Sequence, residues 1–266
     1  MAPVRPAPER PVVDVRDVTV RYRVPHERVP TFKEFAIRWM RRRLVYQEFL
    51  ALSQVSIAIR GGESVGIVGR NGAGKTTLLK VIARVLRPTR GTVTVRGRVA
   101  PLLELGAGFD PELSGRENVF LNGALLGRSR REMRERFARI VEFAELEEFI
   151  DAPLRTYSTG MVARLGFAVA TDVEADVLLL DEVLSVGDFA FQKKSYDRIT
   201  SFLKSGATFL LVSHSPDVVR ELCSRAIWLD GGRVAADGPA GEVIDVFTGS
   251  APAAPDAQAA GAIAGE

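Results

Sequence analysis

Cysteine and histidine, the residues from which disulfide frameworks and most zinc sites are built, are nearly absent from this sequence. Cys223 is the single cysteine among 266 residues, so no internal disulfide is available and the chain fits a reducing compartment. Two histidines, His26 and His214, are too few for a histidine-rich metal site. No apolar run approaches the ~18 residues that a membrane-spanning helix needs. The opening MAPVRPAPERP lacks the apolar stretch of a signal peptide. A strong charge of one sign is missing too. The 36 basic and 33 acidic residues leave a net +3, too balanced to argue for nucleic acid as a partner. What remains, 46% hydrophobic and 26% charged, suits a globular chain of one large or two small domains. Such a chain is expected in the cytoplasm, and if it works at a membrane, something else crosses it.

The order of patterns along the chain suggests a parallel α/β core. Residues 1–11 are rich in proline and arginine and are expected to be disordered; 250–266, mostly Ala, Pro and Gly, read as a flexible tail. VVDVRDVTVRY (12–22) and ALSQVSIAIR (51–60) alternate as strands do. SVGIVG (64–69), VLLLD (177–181) and ATFLLVS (207–213) are short apolar runs, hence buried strands, each followed by a helical stretch. GTVTVRGRVA (91–100) suggests a hairpin, as does AIWLDGGRVAADG (226–238) across Gly231-Gly232. Residues 115–150 and 158–172 have helical spacing.

The stretch GRNGAGKTT between a buried strand and a helix carries the first chemistry. Gly69, Gly74, Lys75 and Thr76 satisfy G-x-x-x-x-G-K-[ST]. Glycines let backbone N–H groups turn inward around phosphate oxygens, and the helix that follows adds partial positive charge at its N-terminus. Gly69, Arg70, Asn71, Gly72, Ala73, Gly74, Lys75, Thr76 and Thr77 therefore form a candidate phosphate cradle. Lys75 can reach the terminal phosphates, and the Thr76 hydroxyl can ligate Mg²⁺. The dinucleotide spacing G-x-G-x-x-G is absent from this stretch.

Two further strand ends carry candidate chemistry. In VLLLDE, Asp181 can hold Mg²⁺ through water and Glu182 can accept a proton from an attacking water. Without the phosphate loop they would read as two solvated acids. His214 follows FLLVS at the C-terminal end of a strand, the edge where open α/β sheets bind ligands. Its imidazole can donate to a γ-phosphate or position water; the alternative is a structural histidine.

YSTGMVARLGFAVA (157–170) gives these pieces a family. The chain resembles the ATPase subunit of an ABC transporter over roughly residues 12–249. That family's signature L-S-G-G-Q appears as Tyr157-Ser158-Thr159-Gly160-Met161, and the motifs follow in the family's order. The resemblance implies a P-loop ABC-type fold, with an antiparallel β subdomain and a helical subdomain at about 103–172. It implies a homodimer that sandwiches ATP and Mg²⁺, one chain offering Lys75 and the other Ser158 and Gly160. Glu182 is then the general base, and SVGD (185–188) places Asp188 in the loop that follows it. Tyr22 falls where the family stacks an aromatic ring on adenine; it also reads simply as a strand end. Thr159 and Met161 depart from the signature. The family's loop glutamine is missing, and Glu104 is the nearest polar residue for that place, either a contact to Mg²⁺ or water or a surface residue.

Residues 24–50, VPHERVPTFKEFAIRWMRRRLVYQEFL after Arg23, are an insertion relative to most ABC ATPases. Thr31 to Glu34 has the capping-box form T-x-x-E. Phe32, Phe35, Ala36, Trp39, Met40 and Leu44 then share one helical stripe, with Arg38, Arg41 and Arg42 mainly opposite. The pattern reads either as a helix packed on its own domain or as an amphipathic helix at a membrane surface or membrane subunit. The insertion, with LLELGAGFDPELSGREN and DEVLSVGD, resembles the bacterial ATPases that export lipid-linked polysaccharides, the O-antigen, teichoic-acid and cell-wall glycan type. That resemblance implies a peripheral protein on the cytoplasmic face of the membrane, bound to a polytopic permease, with a lipid-linked polysaccharide as cargo. Some members carry a C-terminal sugar-binding domain, for which the stretch after Val246 is too short. Competing readings are the same engine with a lipid or drug cargo, a soluble ABC ATPase of translation or repair, and a scaffold that binds ATP without hydrolysing it.

Overall fold

The computed structural model describes residues 10–25, 46–103, 105–183 and 187–249. β1 (Val13–Pro25), β2 (Tyr46–Ile59) and β4 (Arg90–Val95) form an antiparallel sheet in the order β2-β1-β4. β1 does not alternate cleanly. Asp17, at φ 48°, makes a bulge that changes the phase, so Val13 and Val15 and then Val18 and Val20 all face the core.

The second sheet has the order β5-β6-β7-β3-β8-β9, from β3 (Ser64–Val68), β5 (Val99–Leu102), β6 (Val177–Asp181), β7 (Thr208–Val212), β8 (Arg225–Asp230) and β9 (Arg233–Pro239). Its pairs are parallel except β8–β9. The central strands are buried almost without interruption, as a sheet covered on both faces requires. Val65, Ile67, Leu179 and Leu210 pack with the antiparallel sheet and α1 (Lys75–Ile82); Leu178, Leu180, Phe209 and Leu211 pack on the other side.

A helical layer follows β5. α2 (Gly115–Leu125) and α3 (Arg130–Ala144) both begin with a capping box, Ser114 with Glu117 and Ser129 with Glu132. With α4 (Thr159–Thr171) they bury Val119, Met133, Ile140 and Leu165. α5 (Phe189–Lys204) joins this layer to the sheet through three rings. Phe167 of α4 lies 6.0 Å from Phe143 of α3 and 5.9 Å from Phe191 of α5. Below them Asp172, at the end of α4, gathers Arg139 at 2.7 Å, Arg136 at 3.2 Å, and Arg128 and Arg198 at 3.8 Å. Cations at a helix C-terminus also meet the negative end of its dipole, so the cluster pins α3 and α5 onto α4. α6 (Pro216–Leu222) and α7 (Ala240–Thr248) cover the far face. Among the described residues no helix is long and apolar enough to cross a membrane.

Two expectations are corrected. GTVTVRGRVA is not a hairpin: β4 pairs antiparallel with β1 and β5 pairs parallel with β6, so its halves belong to different sheets. Gly97, at φ 88°, turns the chain between them, and the Arg98 N–H donates to Asp176 Oδ2 at 2.6 Å. The insertion is also shorter than 24–50, because β1 runs to Pro25 and β2 begins at Tyr46, with Pro25 opposite Tyr46. The stripe from Phe32 to Leu44 lies outside the described residues, as do both terminal stretches, 1–9 and 250–266.

A Cβ at Gly97 would stand 2.7 Å from the Asp176 Cβ. Gly97→Ala is therefore expected to destabilise the fold by on the order of 1–3 kcal/mol, through left-handed strain and this contact. Denaturant unfolding measures it, while nucleotide affinity of the folded fraction stays unchanged.

Candidate functional site

β3, β6 and β7 are adjacent and parallel, so their C-terminal ends open on one edge. The chain after β3 makes the loop 69–74, with Gly69, Gly72 and Gly74 at φ 152°, 79° and 102°. The loop is tied at its back. The Gly232 N–H donates to the Ala73 carbonyl at 3.2 Å, and the Ser53 N–H donates to the Gly232 carbonyl at 2.8 Å. α1 starts at Lys75 with no side-chain cap, so its first-turn N–H groups are left for an anion. Lys75, buried, donates from Nζ to the carbonyls of Gly69 at 2.8 Å and Arg70 at 3.1 Å. Burial lowers its pKa, while the charges of Glu182 and Asp181 act in the opposite sense.

Asp181 ends β6 opposite Val212 of β7. The Thr76 hydroxyl bonds to its carboxylate, which brings the two candidate Mg²⁺ ligands together. Its Oδ1 is buried and has no hydrogen-bond partner. Burial raises its pKa, and this outweighs the bond from Thr76. A buried acceptor with no donor, in contact with a threonine hydroxyl beside a phosphate cradle, fits a divalent cation brought in with a phosphate ligand. Among the described residues no three His, Cys, Asp or Glu side chains cluster as a metal site.

Glu182 stands just beyond β6, held in the left-handed region at φ 57° with its N–H bonded to the Val212 carbonyl at 3.1 Å. Its Oε1 lies 2.7 Å from His214 Nε2. The backbone strain and the imidazole fix one carboxylate direction at the sheet edge. The same two residues line a cavity with Gln192, Ser213 and Ser215. Such a carboxylate can take a proton from water that attacks a phosphoryl group held over Lys75.

The remaining candidates form other groups. Ser158 caps α4, its Oγ accepting from the Met161 N–H at 3.2 Å. A Cβ at Gly160 would meet only Ser158 Oγ, at 3.8 Å, so the face beside the cap is open. Asp188 caps α5 and also pairs with Arg164. Tyr22 sits on β1 directly opposite Phe49 of β2, and both rings are exposed. Phe49 was not legible in the sequence, since its pairing with Tyr22 spans the insertion. Gly232, behind the phosphate loop, gave no signal beyond its turn. Glu104 lies outside the described residues.

Residues 52–185 match the family model described as ABC transporter. The O-antigen export system ATP-binding protein RfbB of Klebsiella pneumoniae is 47% identical over 239 residues, covering 89% of this chain and 97% of the relative. The teichoic acids export ATP-binding protein TagH of Bacillus anthracis is 40% identical over 74% of this chain, which spans 36% of that longer protein. Among solved structures, the dimeric post-hydrolysis state of the ATP-binding cassette MJ0796 bound to ADP and Pi superposes with a TM-score of 0.67. It is 24% identical and covers 86% of this chain and 98% of its own; the likeness is one of fold.

The raised pKa of Asp181 fixes a sign. Its contribution favours the fold below the unfolded-state pKa and is lost as pH rises through the higher folded value, so at neutral pH the ionised group opposes folding. Asp181→Asn is expected to raise the Tm of the nucleotide-free protein at neutral pH. The gap should close as pH falls toward the ordinary carboxylate range, which thermal scans at a series of pH values check.

Proposed function

This chain belongs to the ABC transporter family and is an ABC-type ATPase, and we propose that it is the motor subunit of an exporter for a lipid-linked polysaccharide. The observation that carries the reading is the meeting of Lys75, Thr76, Asp181, Glu182 and His214 at the end of three adjacent parallel strands. Relatives whose names specify O-antigen and teichoic acid export support the cargo class. In this reading residues 12–249 are the working domain, with the helical subdomain at about 103–172.

ATP lies in the 69–77 cradle with its phosphates against backbone N–H groups and Lys75, whose Nζ keeps a third donor beyond its two carbonyl contacts. Mg²⁺ bound with the nucleotide neutralises phosphate charge and would be held by Thr76 and Asp181. Glu182 takes the proton of the attacking water, and His214 keeps its carboxylate in place. Tyr22, with Phe49 beside it, offers a face for adenine.

Two chains complete each site, the second supplying Ser158 and Gly160. Phe189, directly after Asp188, is 84% exposed, a large apolar side chain placed where a second copy would cover it. In this reading a membrane subunit docks on the groove bordered by Val85, Leu102, Leu105 and Leu126, and the protein works peripherally on the cytoplasmic face.

Glu182→Gln is expected to lower ATP turnover by ~10²–10⁴ with ATP binding retained; turnover at the wild-type rate removes Glu182 from the mechanism. Co-purification is expected to bring down a polytopic membrane protein that raises the ATPase rate. Gly160→Ala separates function from folding. Alanine favours a helix over glycine, so the Tm should hold or rise, while ATP-driven dimerisation falls because a methyl group occupies the open face.

A further inference from the structure

We propose that Tyr157 is a positioning residue for the signature: its hydroxyl, lodged against Gly115 and bonded to the Phe149 carbonyl, sets the direction in which Ser158 meets a second chain's nucleotide. The inference rests on the two-chain reading and adds to it a residue that acts through Ser158.

Tyr157 stands where the signature L-S-G-G-Q has leucine, a side chain with no polar atom to bond. It is half-buried and follows a single 3₁₀ turn (Leu154–Thr156), in extended backbone at ψ 146°. Its ring packs on the core of the helical layer, and its hydroxyl donates to the Phe149 carbonyl at 2.6 Å. Burial raises the pKa of that hydroxyl and the charge of Asp151 adds to the effect, so the group keeps its proton and remains a donor. Ser158 Oγ is bonded to the Met161 N–H, which fixes it relative to α4 alone. The tyrosine bond reaches back along the chain and ties the start of α4 to the turn before it.

That turn is a firm base. The Arg116 N–H donates to the Ile150 carbonyl at 2.8 Å and the Gly115 N–H to the Ala152 carbonyl at 3.2 Å. In return the Leu154 N–H donates to the Leu113 carbonyl and the Arg155 N–H to the Pro111 carbonyl, both at 2.9 Å. Residues 150–155 are thereby laced to the start of α2. The Phe149 carbonyl also accepts from the Ala152 N–H at 2.9 Å, so it keeps a partner when the tyrosine oxygen is removed. The hydroxyl is not needed to satisfy that acceptor, and what it supplies is direction.

Gly115 points to the same hydroxyl from the other side. It is the first residue of α2 and lies outside the left-handed region, so neither its backbone nor helix propensity calls for glycine. A Cβ there would stand 2.3 Å from the Tyr157 hydroxyl oxygen. Its other near neighbours, the carbonyl oxygen and Cδ1 of Ile150, are at 3.0 and 3.1 Å, distances that small shifts relieve. Glycine at 115 thus makes the space into which the tyrosine oxygen fits. A methyl group in that space would push the hydroxyl off the Phe149 carbonyl and release the segment that carries Ser158. Once released, the segment holds the productive direction for only part of the time, and the neighbour's nucleotide binds it more weakly by that fraction.

The test uses the full chain in the Glu182→Gln background. Equilibrium dialysis at protein concentrations too low for dimerisation gives the single-chain ATP affinity, and sedimentation follows ATP-driven dimerisation. Tyr157→Phe, which removes one oxygen and keeps the ring, is expected to leave single-chain affinity within about twofold and to raise the ATP concentration for half-dimerisation about fivefold, the effect of one neutral hydrogen bond. In the hydrolysis-competent chain KM for ATP should rise by a similar factor while kcat at saturating ATP holds. Gly115→Ala should shift dimerisation in the same direction, and covers the case in which the phenylalanine variant folds poorly. With Tyr157→Phe already present, Gly115→Ala should add less than it does alone, because its methyl group no longer meets an oxygen. Tyr196→Phe is the matched control. It removes a hydroxyl bond to Glu221 at 2.5 Å between α5 and α6, and should lower the Tm without moving dimerisation. Dimerisation of Tyr157→Phe at the parent's ATP concentration overturns the positioning role, as does an equal shift in Tyr196→Phe. Shifts that simply multiply in the double variant break the link to Gly115. A parent chain that stays monomeric at saturating ATP sinks the two-chain reading itself, and this role of Tyr157 with it.

Discussion

The backbone behind the phosphate loop leaves no room for a side chain at Gly69 or Gly74, and the shape of the site depends on that closeness. A Cβ at Gly69 would lie 2.2 Å from the Leu229 carbonyl oxygen, and one at Gly74 would lie 2.5 Å from the Ala51 carbonyl oxygen. β8 and β2 therefore press the loop from behind into a shape whose free side is lined by N–H groups. Lys75 is folded back onto the loop's own carbonyls, which occupies two of its three N–H donors and leaves the third for a phosphate. The two glycines are thus required by the protein's own packing as well as by the ligand. The same constraint explains why the antiparallel sheet is attached where it is: β2 is the wall that forces Gly74 into its conformation.

Several groups at the sheet edge are held in strained, buried or unsatisfied states. Asp181 carries a buried oxygen with no donor, Lys75 is depressed by burial, and Glu182 occupies a backbone region that costs ~1–3 kcal/mol for a residue with a Cβ. The buried oxygen of Asp181 and the buried ammonium of Lys75 are the two that a polyphosphate and its cation would satisfy, whereas the strain at Glu182 is held by the fold. The strain is carried by β6 and β7, whose apolar runs are buried on both faces and whose ladder fixes Asp181 opposite Val212. Stability in the strands and discomfort at their ends belong to one design.

What was legible in the sequence follows from how local each signal is. The phosphate loop and VLLLDE were readable because a few consecutive residues define both the conformation and the chemistry. His214 was readable as a position, after a third buried strand, but its contact with Glu182 depends on the pairing of β6 with β7. GTVTVRGRVA misled because alternation and a glycine describe a hairpin, whereas its two halves pair with β1 and β6, strands distant in the sequence. The insertion was drawn too wide for the same reason: residues 46–50 find partners across β1 that no local pattern announces. Phe49 was out of reach altogether, since it is brought opposite Tyr22 only by the register of β1 and β2.

The departures from the family signature make sense once side-chain and backbone roles at the start of α4 are separated. Ser158 accepts from the Met161 N–H, and accepting leaves the hydroxyl proton free to donate outward. The partner in this cap is the backbone of residue 161, so the side chain there, Met in place of Gln, is not what the cap uses. Gly160 is different. Apart from its own helix backbone and chain neighbours, the space where its Cβ would stand holds nothing of the described residues nearer than Ser158 Oγ at 3.8 Å, so packing places no demand for glycine at that position. A helix start would be better served by almost any other residue. On the two-chain reading the demand comes from outside the protomer, from a phosphate that must approach the first-turn N–H groups without meeting a methyl group. Serine at the cap and glycine two residues on are then the pair that the neighbour's nucleotide requires, while positions 159 and 161 are free to vary.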